Sequence, residues 1–243
     1  MVAAALDGER WFYLGENHAT AEHQKLEADM VQALVDRGRR VIVGVEFFQR
    51  PKQSILDQWS AGELKEDEFL SKADWKGQWG YPYSFYRPLF EVIRKNRLAL
   101  VGLNVPRDWV RAVGKGGPDA LTAEQAAQVP NLNLGNRDHR SVFNALMGGH
   151  PPTGPQGENI YAAQVLWDEG MADTAVKYRR ARNSIFVVIA GSGHVMYGQG
   201  INWRVRGRTG ERGKWLVMTQ SDGPAKVARG MGDFVYVSPA VRG

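Results

Sequence analysis

The sequence contains no cysteine. That absence removes disulfides, zinc fingers, iron–sulfur clusters and thiol nucleophiles, and it leaves the redox compartment unread. Histidine is scarce, with five in 243 residues, so each one is a candidate for chemistry. No run reaches the ~18 consecutive apolar residues of a membrane span, so no transmembrane segment is expected. Internal repeats and low-complexity tracts are also missing. An excess of one charge is missing from most of the chain. Residues 1–200 balance basic against acidic side chains, and the formal net charge of +5 comes from residues 201–243. There Arg204, Arg206, Arg208, Arg212, Lys214, Lys226, Arg229 and Arg242 outnumber three acids. Such a local basic region reads first as a solvated surface, and second as one favouring anions such as phosphate, propionate or lipid head groups. It has no aromatic ladder and no known nucleic-acid motif, so no nucleic-acid partner is expected. The opening Met1–Leu6 is too short and uncharged for a signal peptide. The chain therefore shows no export signal, which leaves a cytoplasmic location open.

The remainder is an ordinary globular composition, 43% hydrophobic and 23% charged, long enough to bury its own core. Four short apolar runs stand out: Trp11–Leu14, Val41–Val45, Leu98–Leu103 and Ile185–Ala190. Three are continuous rather than alternating, as in parallel strands covered on both faces. Helical patterns separate them over 19–37, after Pro51, and over 84–96. The fold class expected is α/β, a mostly parallel sheet with helices on both faces. Residues 106–180 lack a convincing strand, and helical patterns fall near 122–129, 136–147 and 158–180. Glycine and proline punctuate them at 114–118 and 148–157. This predicts a small helical subdomain over 106–180, inserted before the fourth parallel strand into an α/β domain of residues 1–105 and 181–243. Two late strands, 214–219 and 234–237, are expected to extend the sheet edge.

Each apolar run ends in polar residues. The first ends Gly15-Glu16-Asn17-His18, the second Gly44-Val45-Glu46, the third Gly102-Leu103-Asn104, the fourth Gly191-Ser192-Gly193-His194. In a parallel sheet these ends share one edge, where open α/β folds bind ligands. Glu16, His18, Glu46, His194 and Asn104 are thus expected in one crevice. Glu46 follows an apolar strand and precedes Phe47 and Phe48, which predicts burial and a perturbed carboxyl. His18 and His23 are five apart, unlike the two-histidine helix of zincins. His23 remains a weaker candidate one turn into the helix. On the last helix of the insertion Tyr161, Gln164, Asp168 and Met171 form a stripe beside Trp167 that can face the crevice.

These residues carry a resemblance. Leu14-Gly15-Glu16-Asn17-His18, Gly44-Val45-Glu46-Phe47-Phe48, Tyr86-Arg87-Pro88-Leu89, Leu103-Asn104-Val105-Pro106-Arg107, Gln164-Val165-Leu166-Trp167-Asp168 and Gly191-Ser192-Gly193-His194-Val195 occur in order. Together they resemble the ChaN-like haem-binding family over roughly residues 11–205. The resemblance implies bacterial haem or iron uptake. It implies a periplasmic or outer-membrane-associated lipoprotein, a homodimer sandwiching haem with a tyrosine as iron ligand, and a haem transporter or receptor as partner. Distant relatives, the Tiki-type proteases and erythromycin esterases, use Glu and His at corresponding turns for hydrolysis. On that mapping Glu16, His18, Glu46 and His194 are the catalytic candidates, and the enzyme question stays open. Haem needs an apolar slot, an axial ligand and cations for its propionates. For those roles the insertion offers Tyr161, His139 and His150, with Gln164 and Asp168 beside them. The Glu/His cluster itself looks more like a hydrolytic site, or one holding a divalent metal.

Overall fold

The computed structural model describes residues 1–179 and 184–240. The chain runs β1 (Trp11–Glu16), α1 (Ala21–Asp36), β2 (Arg40–Gln49), α2 (Gln53–Ala61), α3 (Glu66–Ala73), α4 (Trp75–Gln78), α5 (Tyr83–Lys95) and β3 (Ala99–Asn104). It continues through α6 (Arg107–Gly116), α7 (Ala123–Ala126), α8 (Arg137–Leu146), α9 (Gly154–Tyr178), β4 (Ser184–Gly191), α10 (Ile201–Thr209), β5 (Lys214–Gln220) and β6 (Phe234–Ser238). The six strands form one sheet in the order β3-β2-β4-β1-β5-β6. Every neighbouring pair is parallel, so the sheet is wholly rather than mostly parallel. The two late strands do extend one edge, β5 beside β1 and β6 beside β5.

The continuous apolar runs have a simple cause. Successive strand side chains point to opposite faces, and here both faces are covered. In β4, Ile185, Val187 and Ile189 join one core with Leu34 of α1, Trp59 of α2 and Phe90 of α5. Phe186, Val188 and Ala190 join another with Met171 and Ala175 of α9 and Val205 of α10. The stretch between β3 and β4 is helical. The first half of α9 packs Ala162, Ala163 and Leu166 against Val110 and Val113 of α6. Its second half returns to the sheet through Met171, Ala172 and Ala175. The expected boundary at 180/181 lies outside the described residues. Among the described residues, no helix is long and apolar enough to cross a membrane.

One strand is longer than the sequence suggests. β2 runs through Glu46 to Gln49, and its pairing with β3 shifts register between Val45 and Gln49. Glu46 therefore sits inside an irregular strand end and not in a turn after it.

Candidate functional site

The strand ends converge as the sequence implied. Glu16 closes β1 and is buried, as are Glu46, Asn104 and His194. Gly15 lets β1 approach the turn after β4, because a Cβ there would lie 2.5 Å from Val195 Cγ2 and 3.0 Å from the Ser192 backbone. That closeness draws the β1 and β4 ends, and hence His18 and His194, toward one point. The Asn104 amide donates to the Glu46 carbonyl at 3.3 Å, tying β3 to the same edge.

Two linked arrangements result. In the first, the Nδ1 of His18 lies 2.6 Å from Glu16 Oε1, which places the ring proton on Nδ1 and turns Nε2 outward. The other Glu16 oxygen accepts from Gln24 at 2.5 Å, and the Tyr86 hydroxyl donates to Oε1 at 3.1 Å. Burial works against a charge on His18, but the Glu16 hydrogen bond and the Glu46 charge outweigh it and raise the pKa. Trp79 and Tyr81 flank the His18 ring.

In the second arrangement, buried groups form a chain from α8 to β2. The Tyr161 hydroxyl meets His139 Nδ1 at 2.9 Å, and His139 Nε2 meets Asp168 Oδ2 at 2.6 Å. Asp168 Oδ1 lies 2.5 Å from His194 Nδ1, and His194 Nε2 lies 3.4 Å from Glu46 Oε1. The Gly191 N–H donates to Glu46 Oε2 at 2.8 Å. Burial disfavours charge on Glu46, Asp168 and His194, yet their charges stabilise one another. His194, between two carboxylates, has its pKa raised well above the usual histidine value. Burial alone would raise the Glu46 carboxyl, but His194, His18 and the Gly191 N–H hold it down to about 2. Asp168 is likewise held low by His194, His139 and Arg204 against its burial.

The two arrangements meet at Gly191. A Cβ there would sit 3.0 Å from His18 Cε1, 3.2 Å from His18 Nε2 and 3.7 Å from Glu46 Oε2. The missing side chain leaves His18 Nε2 and Glu46 facing a common space.

The remaining expectations divide. Gln164 reaches His194, its Nε2 lying 3.1 Å from Nδ1. Tyr161, His139 and Asp168 are present but enclosed in the chain, with at most 2% of each exposed. Hydrogen bonds already use both His139 nitrogens and the Tyr161 hydroxyl, so neither residue faces an open slot. His150 is exposed in the loop between α8 and α9 and takes no part in the hydrogen bonds of the chain. His23 is buried. It accepts from the Asn17 N–H at 3.0 Å and meets Ser238 Oγ at 3.2 Å, anchoring β6. No group of three His, Asp or Glu side chains among the described residues could hold a metal ion.

The open surface lies one turn further on. Met196, Tyr197, Met231, Val142, Ala145 and Leu146, together with the polar Asp138 and Ser141, line a cleft of about 630 Å³. Tyr197 is 43% exposed and sits at φ +59°, a left-handed conformation uncommon outside glycine. Its N–H is anchored by the Met231 carbonyl at 2.9 Å. In the sequence this residue stands in Tyr197-Gly198, which with Gly200-Ile201 continues the last of the motifs that carry the resemblance.

The sequence profile described as haem-binding uptake, Tiki superfamily, ChaN matches residues 2–205. The chain belongs to that ChaN family. Among solved structures it is similar to ChaN of Campylobacter jejuni, described as showing cofacial heme binding. That match has 18% identity and TM-score 0.71, over 96% of this chain and 89% of that one. An erythromycin esterase mutant, EreC, in its open conformation matches with 15% identity and TM-score 0.55, over 90% and 72%. A succinoglycan biosynthesis protein matches with 14% identity and TM-score 0.55, over 90% and 68%. At these identities the likeness is one of fold. No curated protein matches the chain in sequence.

Proposed function

We propose that this ChaN-family chain binds haem in the cleft at Tyr197 and serves haem or iron uptake in a bacterium. The observation that carries the reading is an exposed tyrosine lining a largely apolar cleft of about 630 Å³, in a chain of a haem-binding family. The residues fit the group. Leu146, Val142, Met196 and Met231 offer a wall for a porphyrin face, and Tyr197 offers an oxygen ligand for ferric iron. Bound haem would supply an iron centre, for which Tyr197 would offer an oxygen and Leu146, Val142, Met196 and Met231 an apolar surface. The ligand role falls to Tyr197 in place of Tyr161, His139 and His150. A periplasmic or outer-membrane-associated location, a homodimer and a haem transporter or receptor belong to the same reading. Cell fractionation and sedimentation with and without hemin test them. Titration with hemin should give a saturable Soret shift, and drifting, non-saturable absorbance would count against haem binding.

A second reading rests on its own observation. His18 is oriented by Glu16 and turns Nε2 toward the space over Gly191, beside the Glu46 carboxylate. That is the geometry of a general base set to activate water on an ester or amide. His194 cannot be that base, since carboxylates engage both its nitrogens. Assays with ester, amide and peptide substrates test this reading. Turnover should rise with pH through a His18 pKa above the ordinary histidine value and vanish in His18→Ala. Turnover that survives His18→Ala would place the chemistry elsewhere.

A further inference from the structure

Behind Glu16 and His18 stands a further buried carboxyl. Glu27 of α1 is fully buried, and no N–H or O–H donor reaches either of its oxygens. An anion in that position is costly, because nothing compensates for its lost water. The groups around it offer no cation. Gln24, three residues earlier on the same helix face, turns its amide N–H toward Glu16 Oε2 at 2.5 Å and the Asn17 carbonyl at 3.3 Å. That leaves its own Oε1 without a donor. His23, four residues earlier, uses Nδ1 on the Asn17 N–H and Nε2 on Ser238 Oγ, and burial lowers its pKa. From α5, the Tyr86 hydroxyl is given to Glu16 Oε1. From β1, Glu16 itself lies within hydrogen-bond reach of Glu27. Burial first, then the Glu16 charge and hydrogen bond, raise the Glu27 carboxyl well above its usual value.

Glu16 has room for that bond. His18 Nδ1 and the Tyr86 hydroxyl occupy Oε1, and Gln24 meets Oε2. A carboxylate offers about four acceptor positions, so among the described residues one remains on Oε2. We propose that Glu27 keeps its proton in the folded protein and donates it in a hydrogen bond to Glu16, which makes Glu27 a positioning residue for His18. The role rests on the reading of His18 as a general base. Against burial, Glu16 and Glu46 raise the His18 pKa, and a base that stays protonated near neutral pH is idle. The Glu27 donor takes up part of the Glu16 charge, so Glu16 pulls less strongly on the His18 proton. More of His18 is then free base at neutral pH. The same bond helps Gln24 and Tyr86 hold the carboxylate that aims the ring. No proton leaves Glu27 in this role; its contribution is the hydrogen bond.

The test follows the His18 ring by NMR through a pH titration of the parent, Glu27→Gln and Glu27→Leu. The resonance is assigned by its loss in His18→Ala, and the pH profile of ester turnover is recorded beside it. Gln keeps a donor for Glu16, so its His18 midpoint should match that of the parent. Leu fills similar space without a donor, and there His18 should hold its proton about threefold tighter or more. The rising limb of ester turnover should move to higher pH with it. Melting temperatures confirm that both variants are folded. A midpoint that falls in both variants would show an ionised Glu27 in the parent and overturn the proposal. An unchanged midpoint in Glu27→Leu would reduce Glu27 to packing and overturn it as well. Absence of ester turnover by the parent overturns the general-base reading, while the NMR midpoints still decide whether Glu27 acts on His18.

Discussion

His194 Nδ1 and Asp168 Oδ1 lie 2.5 Å apart with Asp168 fully buried, and on its other side Asp168 holds His139 Nε2 at 2.6 Å. One carboxylate from α9 thus fixes two imidazoles from separate elements, the turn after β4 and helix α8. In Asp168→Asn one of its two oxygens becomes an NH2 group, so one ring meets a donor in place of its acceptor and the other keeps only a neutral amide oxygen. Asp168→Asn should cost about 3–5 kcal/mol, as for other broken buried pairs. Urea unfolding measures it, and a loss under about 1 kcal/mol would show that the pairing matters little to the fold.

Stability should fall at both ends of the pH range. The Glu46 carboxyl is depressed to about 2 and Asp168 is also lowered. Their contribution is complete above the unfolded carboxylate range and is lost as pH falls through the folded values. His194 has a raised pKa. Its contribution is complete below the unfolded histidine value and is lost as pH rises through the folded one. Unfolding midpoints from pH 2 to 10 should trace both limbs. In Glu46→Gln the acid limb should become shallower, and an unchanged limb there would separate Glu46 from acid stability.

Glu27 of α1 makes the opposite contribution. It is fully buried, and neither of its oxygens meets an N–H or O–H donor. Burial and the Glu16 charge push its carboxyl well above the usual value. A raised carboxyl stabilises least at high pH, where folding must hold a proton that the unfolded chain has released. Glu27→Gln removes that cost and can donate to Glu16. The variant should melt higher than the parent at pH 8, with the gap closing toward pH 4. A variant that melts lower at pH 8 would contradict this.

The sheet was legible because strands buried on both faces must be apolar without interruption. The convergence of Glu16, Glu46 and His194 followed from parallel topology alone. Other features had no local signal. Asp168 stood out on the α9 stripe, but its pairing with His139 depends on how α8 docks, which no periodicity encodes. Helices α3 and α4 are short and irregular, so Trp79, which packs against His18, went unread. Tyr161 looked available because its neighbours on the helix are polar, yet α8 covers it and Arg140 stacks on its ring at 3.6 Å. Tyr197 went unread as a ligand because its exposure comes from backbone conformation.

The central claim is that Tyr197 holds the iron of bound haem. The most direct measurement is the absorption spectrum of the hemin complex of the parent beside that of Tyr197→Phe. The account predicts a saturable complex with a ferric tyrosinate signature in the parent. In Tyr197→Phe that signature should vanish and affinity should fall by about tenfold or more. An identical spectrum and affinity in Tyr197→Phe would contradict it.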